Sequence, residues 1–489
     1  MDFILRKQST PSPECDTLVL SNFQGSGLGK GAAAVDKRLG GEITKMAREE
    51  GIKWEMGKSI IINTLGKMAP SRVLLMGLGK RSELSAETLR KMAISATKRV
   101  GRFTSKLSYA LDVPWRRGYY GALAEGSYLG SYLFNKYKSD PEDESALSVV
   151  EILSQSADRK AFAREVELAL SLARATNFTR DLVNEPPMYL TPTRLAEIAQ
   201  EIADENGLSI EIFDRDEMMK RGMEGILAVN KGSDEPPKFI HFTYTPKRKP
   251  KRTVAVVGKG ITFDSGGLSL KPADSMRTMK CDMAGAGVVM GVMTEIAKLK
   301  PAVTVHGLIS STENMTGGSA YKVDDVVRIM NGKTVEVINT DAEGRIVLAD
   351  ALSFAHKLRV DEIVDLATLT GACMVALGPH TAGLMGNNAA LVEKIKRVAH
   401  EAGEKVWQLP LDSELKKQLD SGIADMKNVG ARWGGAITAA LFLENFVAST
   451  PWAHLDIAGP AYSDKGGEYI PPGGTGFGVR TIIRYLLER

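Results

Sequence analysis

The sequence predicts an α/β protein built from two α/β domains, the C-terminal one a mixed, largely parallel sheet flanked by helices. Three observations carry that expectation. The chain has 489 residues, more than one ordinary hydrophobic core accommodates. From about residue 180 onward, short apolar runs alternate with longer stretches of helical periodicity, the pattern of strands joined through helices. A polar, breaker-rich interval separates that region from the N-terminal third.

In the first 160 residues, Val73-Leu74-Leu75-Met76 before Gly77 reads as a strand and residues 86–97 as a helix, with no cluster of potential catalytic side chains. Asp140-Pro141-Glu142-Asp143-Glu144-Ser145 and residues 154–159 have the composition of a boundary, and residues 161–177 carry apolar side chains at helical spacing. The expected organisation is therefore an N-terminal α/β domain over 1–160, a linker helix over 161–180 and a catalytic domain over 181–489. Within the last of these, Thr253-Val254-Ala255-Val256-Val257 is a short apolar strand ending in Gly258, residues 284–297 are a glycine-dotted helix, and 302–309 form another strand. Residues 326–330 and 334–338 flank Asn331-Gly332, a strong two-residue hairpin signal, and 363–366 read as a further buried strand.

Composition narrows the function classes. The chain is 43% hydrophobic and 25% charged, with 63 basic and 59 acidic residues, and this near-balance by itself implies no nucleic-acid partner. The run Lys247-Arg248-Lys249-Pro250-Lys251-Arg252 lies between two strand-like segments and reads as a solvated loop, with a polyanion contact as the alternative. No apolar run reaches the eighteen or so residues of a membrane span, and the first residues lack the pattern of a secretory signal. Cys15, Cys281 and Cys373 are too scattered for a disulfide framework or a CxxC metal site. Cytoplasm is the expected location.

Two segments concentrate charge where charge is costly. One is Gly258-Lys259-Gly260-Ile261-Thr262-Phe263-Asp264-Ser265-Gly266-Gly267, continuing to Lys271 and Asp282; the other is Asn339-Thr340-Asp341-Ala342-Glu343-Gly344-Arg345. Each follows an apolar strand and is expected at a strand's carboxyl end, where open α/β sheets place their ligand crevices. Leu348, Ala351, Leu352 and Ala355 fall at helical spacing, so Asp341 and Glu343 sit at or just before a helix amino end. That dipole offsets carboxylate repulsion by only about 1 kcal/mol. Pairing four acids with Arg345 and the lysines alone would be an expensive network to bury. Two divalent cations balance four carboxylates. The six histidines form no HExxH or HxH pattern, so such a site would be oxygen-rich, suiting Mn²⁺ or Mg²⁺ as well as Zn²⁺. The glycine pairs fall short of a nucleotide-binding fingerprint and more simply permit close backbone approach.

These residues resemble a known family. NTDAEGR and GKGITFDSGGLSLKP are similar to the signature segments of the leucyl aminopeptidase (cytosol aminopeptidase) family of dinuclear metallopeptidases, with Ile346 where leucine is usual. The spacing agrees, Asp264, Lys271, Asp282 and Asp341 lying 5, 12, 23 and 82 residues after Lys259. The likeness continues through Leu182-Val183-Asn184, Ala367-Thr368-Leu369-Thr370-Gly371 and Trp452-Ala453-His454-Leu455-Asp456-Ile457-Ala458-Gly459, and so covers roughly residues 160–489. It implies a metal-dependent aminopeptidase that releases N-terminal residues, leucine and similar apolar ones preferred, by attack of a metal-bridging hydroxide. Lys259 as a neutral amine, Asp264, Asp282, Asp341 and Glu343 would hold two divalent ions, Mn²⁺ or Zn²⁺. Lys271 would stabilise the oxyanion, and Arg345 would hold a bicarbonate acting as general base. Met279, Asn339, Thr368, Gly371 and Ala458 would line the pocket for the first side chain. The resemblance also implies a homohexamer acting on peptides, without membrane association.

Overall fold

The computed structural model describes residues 1–7, 13–140, 145–155 and 158–488. Residues 141–144 of the breaker-rich stretch and 156–157 of the second boundary segment lie outside the described residues. The chain divides into two compact units, Met1–Arg174 with Gly466–Pro471, and Ala175–Lys465 with Pro472–Arg489. The division falls within one continuous helix, Arg159–Asn184.

The first unit contains strands β1 (Asp2–Arg6), β2 (Thr17–Asn22), β3 (Ser59–Asn63), β4 (Arg72–Gly77), β5 (Lys106–Ala110) and β6 (Val149–Leu153) in the order β1-β6-β5-β2-β4-β3. All neighbours run parallel except β3 against β4. β2 is buried at every position, as a central parallel strand covered on both faces must be. Its alternate residues accordingly enter separate cores, Val19 with the helix Ala86–Val100 and Leu18 and Leu20 with the helix Lys30–Leu39. The Ala86–Val100 helix starts where Ser85 and Thr88 form a reciprocal capping box.

The second unit carries β7 (Ser209–Phe213), β8 (Lys238–Tyr244), β9 (Thr253–Asp264), β10 (Thr304–Asn314), β11 (Val326–Arg328), β12 (Thr334–Glu336), β13 (Glu362–Ala367), β14 (Ala382–Gly386), β15 (Val406–Gln408), β16 (Met426–Lys427) and β17 (Trp452–Asp456). Eight of them form a mixed sheet in the order β15-β14-β17-β13-β9-β10-β8-β7, whose centre, β17-β13-β9-β10, is parallel. The helices Ala284–Leu299 and Pro192–Asn206 cover one face, and Glu343–Lys357, Glu224–Asn230 and Gly435–Glu444 the other. The α/β class and the mixed sheet are those the sequence predicts.

Two local expectations are corrected. The apolar run at 253–257 does not end at Gly258, because β9 continues through the glycine-containing segment to Asp264. A Cβ on Gly258 would lie 2.5 Å from the Gly285 carbonyl oxygen, so this glycine lets the helix Ala284–Leu299 press directly on an unbroken strand. Nor does the segment 339–345 leave the main sheet. It follows β12, and the predicted hairpin β11–β12 joins β16 in a separate three-stranded sheet. The helix Glu343–Lys357 then returns the chain to the main sheet, where Ile346, Val347 and Leu348 enter the core beside Ala255, Val257 and Ile261.

On the β8–β10 pair, His241 Nε2 lies 2.9 Å from His306 Nδ1, and the His241 ring packs edge-on against Phe354. Burial pushes both imidazoles down to about 4, with Arg221 adding to the effect on His241 and His241 to that on His306. A histidine depressed in the fold contributes stability that is complete above its unfolded value and lost as pH falls from about 6.5 toward 4. His306→Gln should therefore lose less stability than the parent between pH 7 and 4.5, by about 1–2 kcal/mol after allowance for the partial exposure of His306. Denaturation midpoints measured across that range check it; parallel profiles would remove the histidine pair from the acid response.

Candidate metal centre

Both charged segments meet at one buried place in the second unit. Lys259 lies inside β9 on the face toward the helix Glu343–Lys357, in step with Val257 and Ile261, and is 3% exposed. The first turn of that helix accepts it because residue 344 is glycine: a Cβ there would come 2.5 Å from the Lys259 Nζ. The ammonium makes ion pairs with Asp282 at 2.7 Å and Glu343 at 2.8 Å and donates to the Thr368 carbonyl at 3.1 Å. Asp264 closes the same strand, and Lys271 bridges it to Asp341 at 2.9 and 2.5 Å. Asp282 reaches the site from the short 3₁₀ helix Met279–Met283, which opens at Thr278 with φ 79°. A β-branched residue seldom adopts that conformation, and it costs about 1–3 kcal/mol.

The electrostatics are unbalanced. Asp264, Asp282, Asp341 and Glu343 carry four negative charges, and only Lys259 and Lys271 meet them with two positive ones, leaving an excess of two. Arg345 does not join these pairs; its guanidinium donates to the Asn428 carbonyl at 2.7 Å, and its Nε has no hydrogen-bond partner. The imbalance is visible in the proton affinities. Burial, reinforced by the neighbouring carboxylates, holds Asp282 and Glu343 above the ordinary carboxyl range, and burial raises Asp341 as well. Burial alone would lower Lys259 and Lys271, yet the acids around them hold both ammonium groups above the usual lysine value. Burial brings Arg345 down to about 10.

This donor set fits a hard divalent cation. Asp264, Asp341 and Glu343 each offer a carboxylate oxygen, and the three atoms lie within 4.8 Å of one another. Glu343 Oε2 is buried without a hydrogen-bond partner, an expensive state for an anionic oxygen. The donors so grouped are carboxylate oxygens, a chemistry that suits Mn²⁺ or Mg²⁺ as well as Zn²⁺.

Of the five positions proposed for the pocket, Thr368 touches the charged cluster directly, its hydroxyl donating to Asp282 Oδ1 at 2.7 Å. Asn339 Oδ1 accepts from the Asp341 amide at 2.8 Å and so shapes the loop before the helix. Met279 sits at the start of the 3₁₀ helix, Gly371 begins the helix Gly371–Leu377, and Ala458 follows β17. The basic run at 247–252 forms no part of the site. Residues 247–251 are largely exposed, whereas Arg252 pairs with Glu362.

Three buried residues that hold this arrangement escape sequence reasoning. Asn314, at the end of β10, donates to Asp264 Oδ1 at 2.8 Å and to the Thr340 carbonyl at 3.0 Å, tying the two charged segments together. The β9–β10 ladder shifts register between Thr312 and Asn314, the kind of irregularity that re-aims a side chain beside a site. Asn428 accepts from the Ile338 amide at 2.8 Å and donates to the Asn339 carbonyl at 2.7 Å. Asp456 is the third. The only sequence hint for Asn314 is a polar run, Ser310-Ser311-Thr312-Glu313-Asn314, at the carboxyl end of an otherwise apolar strand.

The chain is similar to known proteins along almost its whole length. Residues 177–483 match the cytosol aminopeptidase family catalytic domain, and residues 19–141 match that family's N-terminal domain. A probable cytosol aminopeptidase of Aquifex aeolicus (strain VF5) is 46% identical over 466 residues, covering 94% of this chain and 93% of the relative. One of Gloeothece citriformis (strain PCC 7424) is 42% identical with full coverage of both. Among solved structures, a mutant tomato leucine aminopeptidase superposes with a TM-score of 0.92 at 32% identity, covering 100% of this chain and 97% of that one. A bottromycin maturation enzyme in complex with Mn superposes with a TM-score of 0.85 at 36% identity, covering 96% and 99%.

Proposed function

The chain belongs to the cytosol aminopeptidase family, metal-dependent hydrolases that act on peptides, and from that premise we propose that Lys259, Asp264, Asp282, Asp341 and Glu343 hold two divalent cations at the buried acidic centre. The observation that carries the reading is the excess of two negative charges in a cluster where Lys259, Asp264, Asp282 and Glu343 are buried and Asp341 is partly exposed. Asp264 and Glu343 would serve both ions, Asp282 and Lys259 would complete the set for one, and Asp341 would complete the set for the other. Divalent ions so placed supply Lewis acidity, an acidified water and an anchor for the free α-amine of a peptide, which is the basis of exopeptidase selectivity.

The chain's own groups divide the remaining work. Lys259 is charged while it faces the acids alone and serves as a neutral amine only when cations take its place in neutralising them. Lys271 then has no carboxylate to satisfy, and its ammonium meets the negative charge developing on the scissile carbonyl oxygen. Arg345, with a free Nε and an anchored guanidinium, suits a small planar anion such as bicarbonate as general base, since all four nearby carboxylates are engaged. Met279, Asn339, Thr368, Gly371 and Ala458 surround the first side chain and favour leucine-like residues. A cytoplasmic homohexamer completes the reading, and no described helix is long and apolar enough to cross a membrane.

The purified protein should release aniline from a leucine anilide, lose that activity in chelator, and recover it with Mn²⁺ or Zn²⁺ at two ions per chain by metal analysis. Activity indifferent to chelator would end the proposal. Lys271→Ala should lower kcat by about 10²–10³ while leaving the ion content unchanged, the cost of one oxyanion donor. Unaltered turnover in that variant would remove Lys271 from the chemistry.

A further inference from the structure

One buried carboxylate outside the metal set reaches most of the proposed pocket. Asp456 ends β17 and is fully buried. Its Oδ1 accepts from the amides of Leu369 at 3.2 Å, Thr370 at 3.4 Å and Ala458 at 3.2 Å. Its Oδ2 accepts from the Thr370 hydroxyl at 2.7 Å, and that hydroxyl in turn accepts from the Cys373 amide at 3.0 Å, capping the helix Gly371–Leu377. The other end of the same loop is Thr368, whose carbonyl receives Lys259 Nζ and whose hydroxyl donates to Asp282. Three of the five pocket positions, Thr368, Gly371 and Ala458, thus adjoin groups that Asp456 holds. Four donors converge on two oxygens, a demand met by a carboxylate and not by an amide, which has one accepting oxygen.

We propose that Asp456 is a positioning residue which, through the Thr370 hydroxyl and the loop 368–371, sets both the side-chain pocket and the orientation of Asp282 and Lys259. The inference rests on the aminopeptidase reading for its substrate half and on the proposed ion centre for its metal half. Thr368 stands to Asp282 as an outer partner of a metal ligand, a relation whose loss typically lowers ion affinity by about 10–100-fold. Severing the strap should therefore loosen discrimination between first side chains and weaken one of the two ion positions together.

The test uses the full chain with Thr370→Val, which cuts the strap, Thr370→Ser, which keeps the hydroxyl, and Asp456→Asn. Two readouts are taken: the ratio of kcat/KM for leucine over glycine anilide, and Mn²⁺ titration of metal-stripped protein by calorimetry. Thr370→Val and Asp456→Asn should lower the ratio by about tenfold and weaken one class of Mn²⁺ site by about tenfold or more, while Thr370→Ser restores both. Circular dichroism and thermal midpoints identify the folded variants, and Asp456→Asn carries the test if Thr370→Val does not fold. A folded strap variant with parental ratio and parental Mn²⁺ affinity overturns the inference. If the parent protein hydrolyses no anilide, the aminopeptidase reading fails by itself, and the Mn²⁺ titration still decides the positioning role.

Discussion

Asp264→Asn should lose both cations and lower kcat/KM by about three orders of magnitude, yet unfold at a higher temperature than the parent in chelator. The two halves have one cause. Asp264 Oδ1 is already occupied by the Gly266 amide and Asn314, so Oδ2, which faces Lys271, is the oxygen that remains for an ion. An amide nitrogen there removes the charge that a cation requires while filling the same volume. Lewis-acid stabilisation worth several kcal/mol disappears, and about 4 kcal/mol is three decades in rate. Without ions, however, the cluster has four acids against two lysines, and neutralising one acid relieves repulsion in a buried setting. A cluster that served only to hold the fold together would respond in the opposite way, losing stability with the pair to Lys271. Activity and thermal midpoint measured on the same preparation separate the cases; parental ion content in the variant would remove Asp264 from the centre.

Lys259→Met should be the most destabilising change at the site in chelator. The ammonium is enclosed by Asp282, Glu343 and the helix start, and its removal leaves two buried carboxylates facing each other without a cation. Breaking a buried pair in this way costs about 3–5 kcal/mol. The loss should grow with pH. Burial already holds Asp282 and Glu343 above their ordinary values, and without Lys259 they rise further. A carboxyl raised in the fold favours the protonated form, so its penalty is absent at low pH and increases as pH climbs through the folded value. Denaturation in chelator at pH 5 and pH 8 should show a wider gap between variant and parent at pH 8, and Mn²⁺ should narrow it by neutralising the same acids. A gap independent of pH would mean that lost packing, not lost charge, is what the variant reports.

Much of this centre is legible along the chain. Lys259, Asp264, Lys271, Asp282, Asp341, Glu343 and Arg345 stand out because charged residues interrupt apolar, glycine-containing segments where burial makes charge costly, and their spacing resembles one family. The strand–helix alternation likewise carries the α/β class and the mixed sheet. Less legible was the path of the backbone. Glycines after a strand read as a turn, and only the close approach of Gly285 explains why β9 passes straight through them.

What the amino-acid sequence determined by itself is therefore the class of fold, the family and the set of charged residues, because these depend on local propensity, burial pattern and motif spacing. Which lysine faces which acid, and which neutral side chains hold them, was decided by tertiary structure alone. Asn314 meets Asp264 across a shifted strand register, Asn428 clasps a loop some ninety residues earlier, and Asp456 gathers amides from a loop eighty-six residues away. Such polar partners have no periodicity and no local signature; they become necessary only when folding brings unsatisfied donors and acceptors into the same dry space.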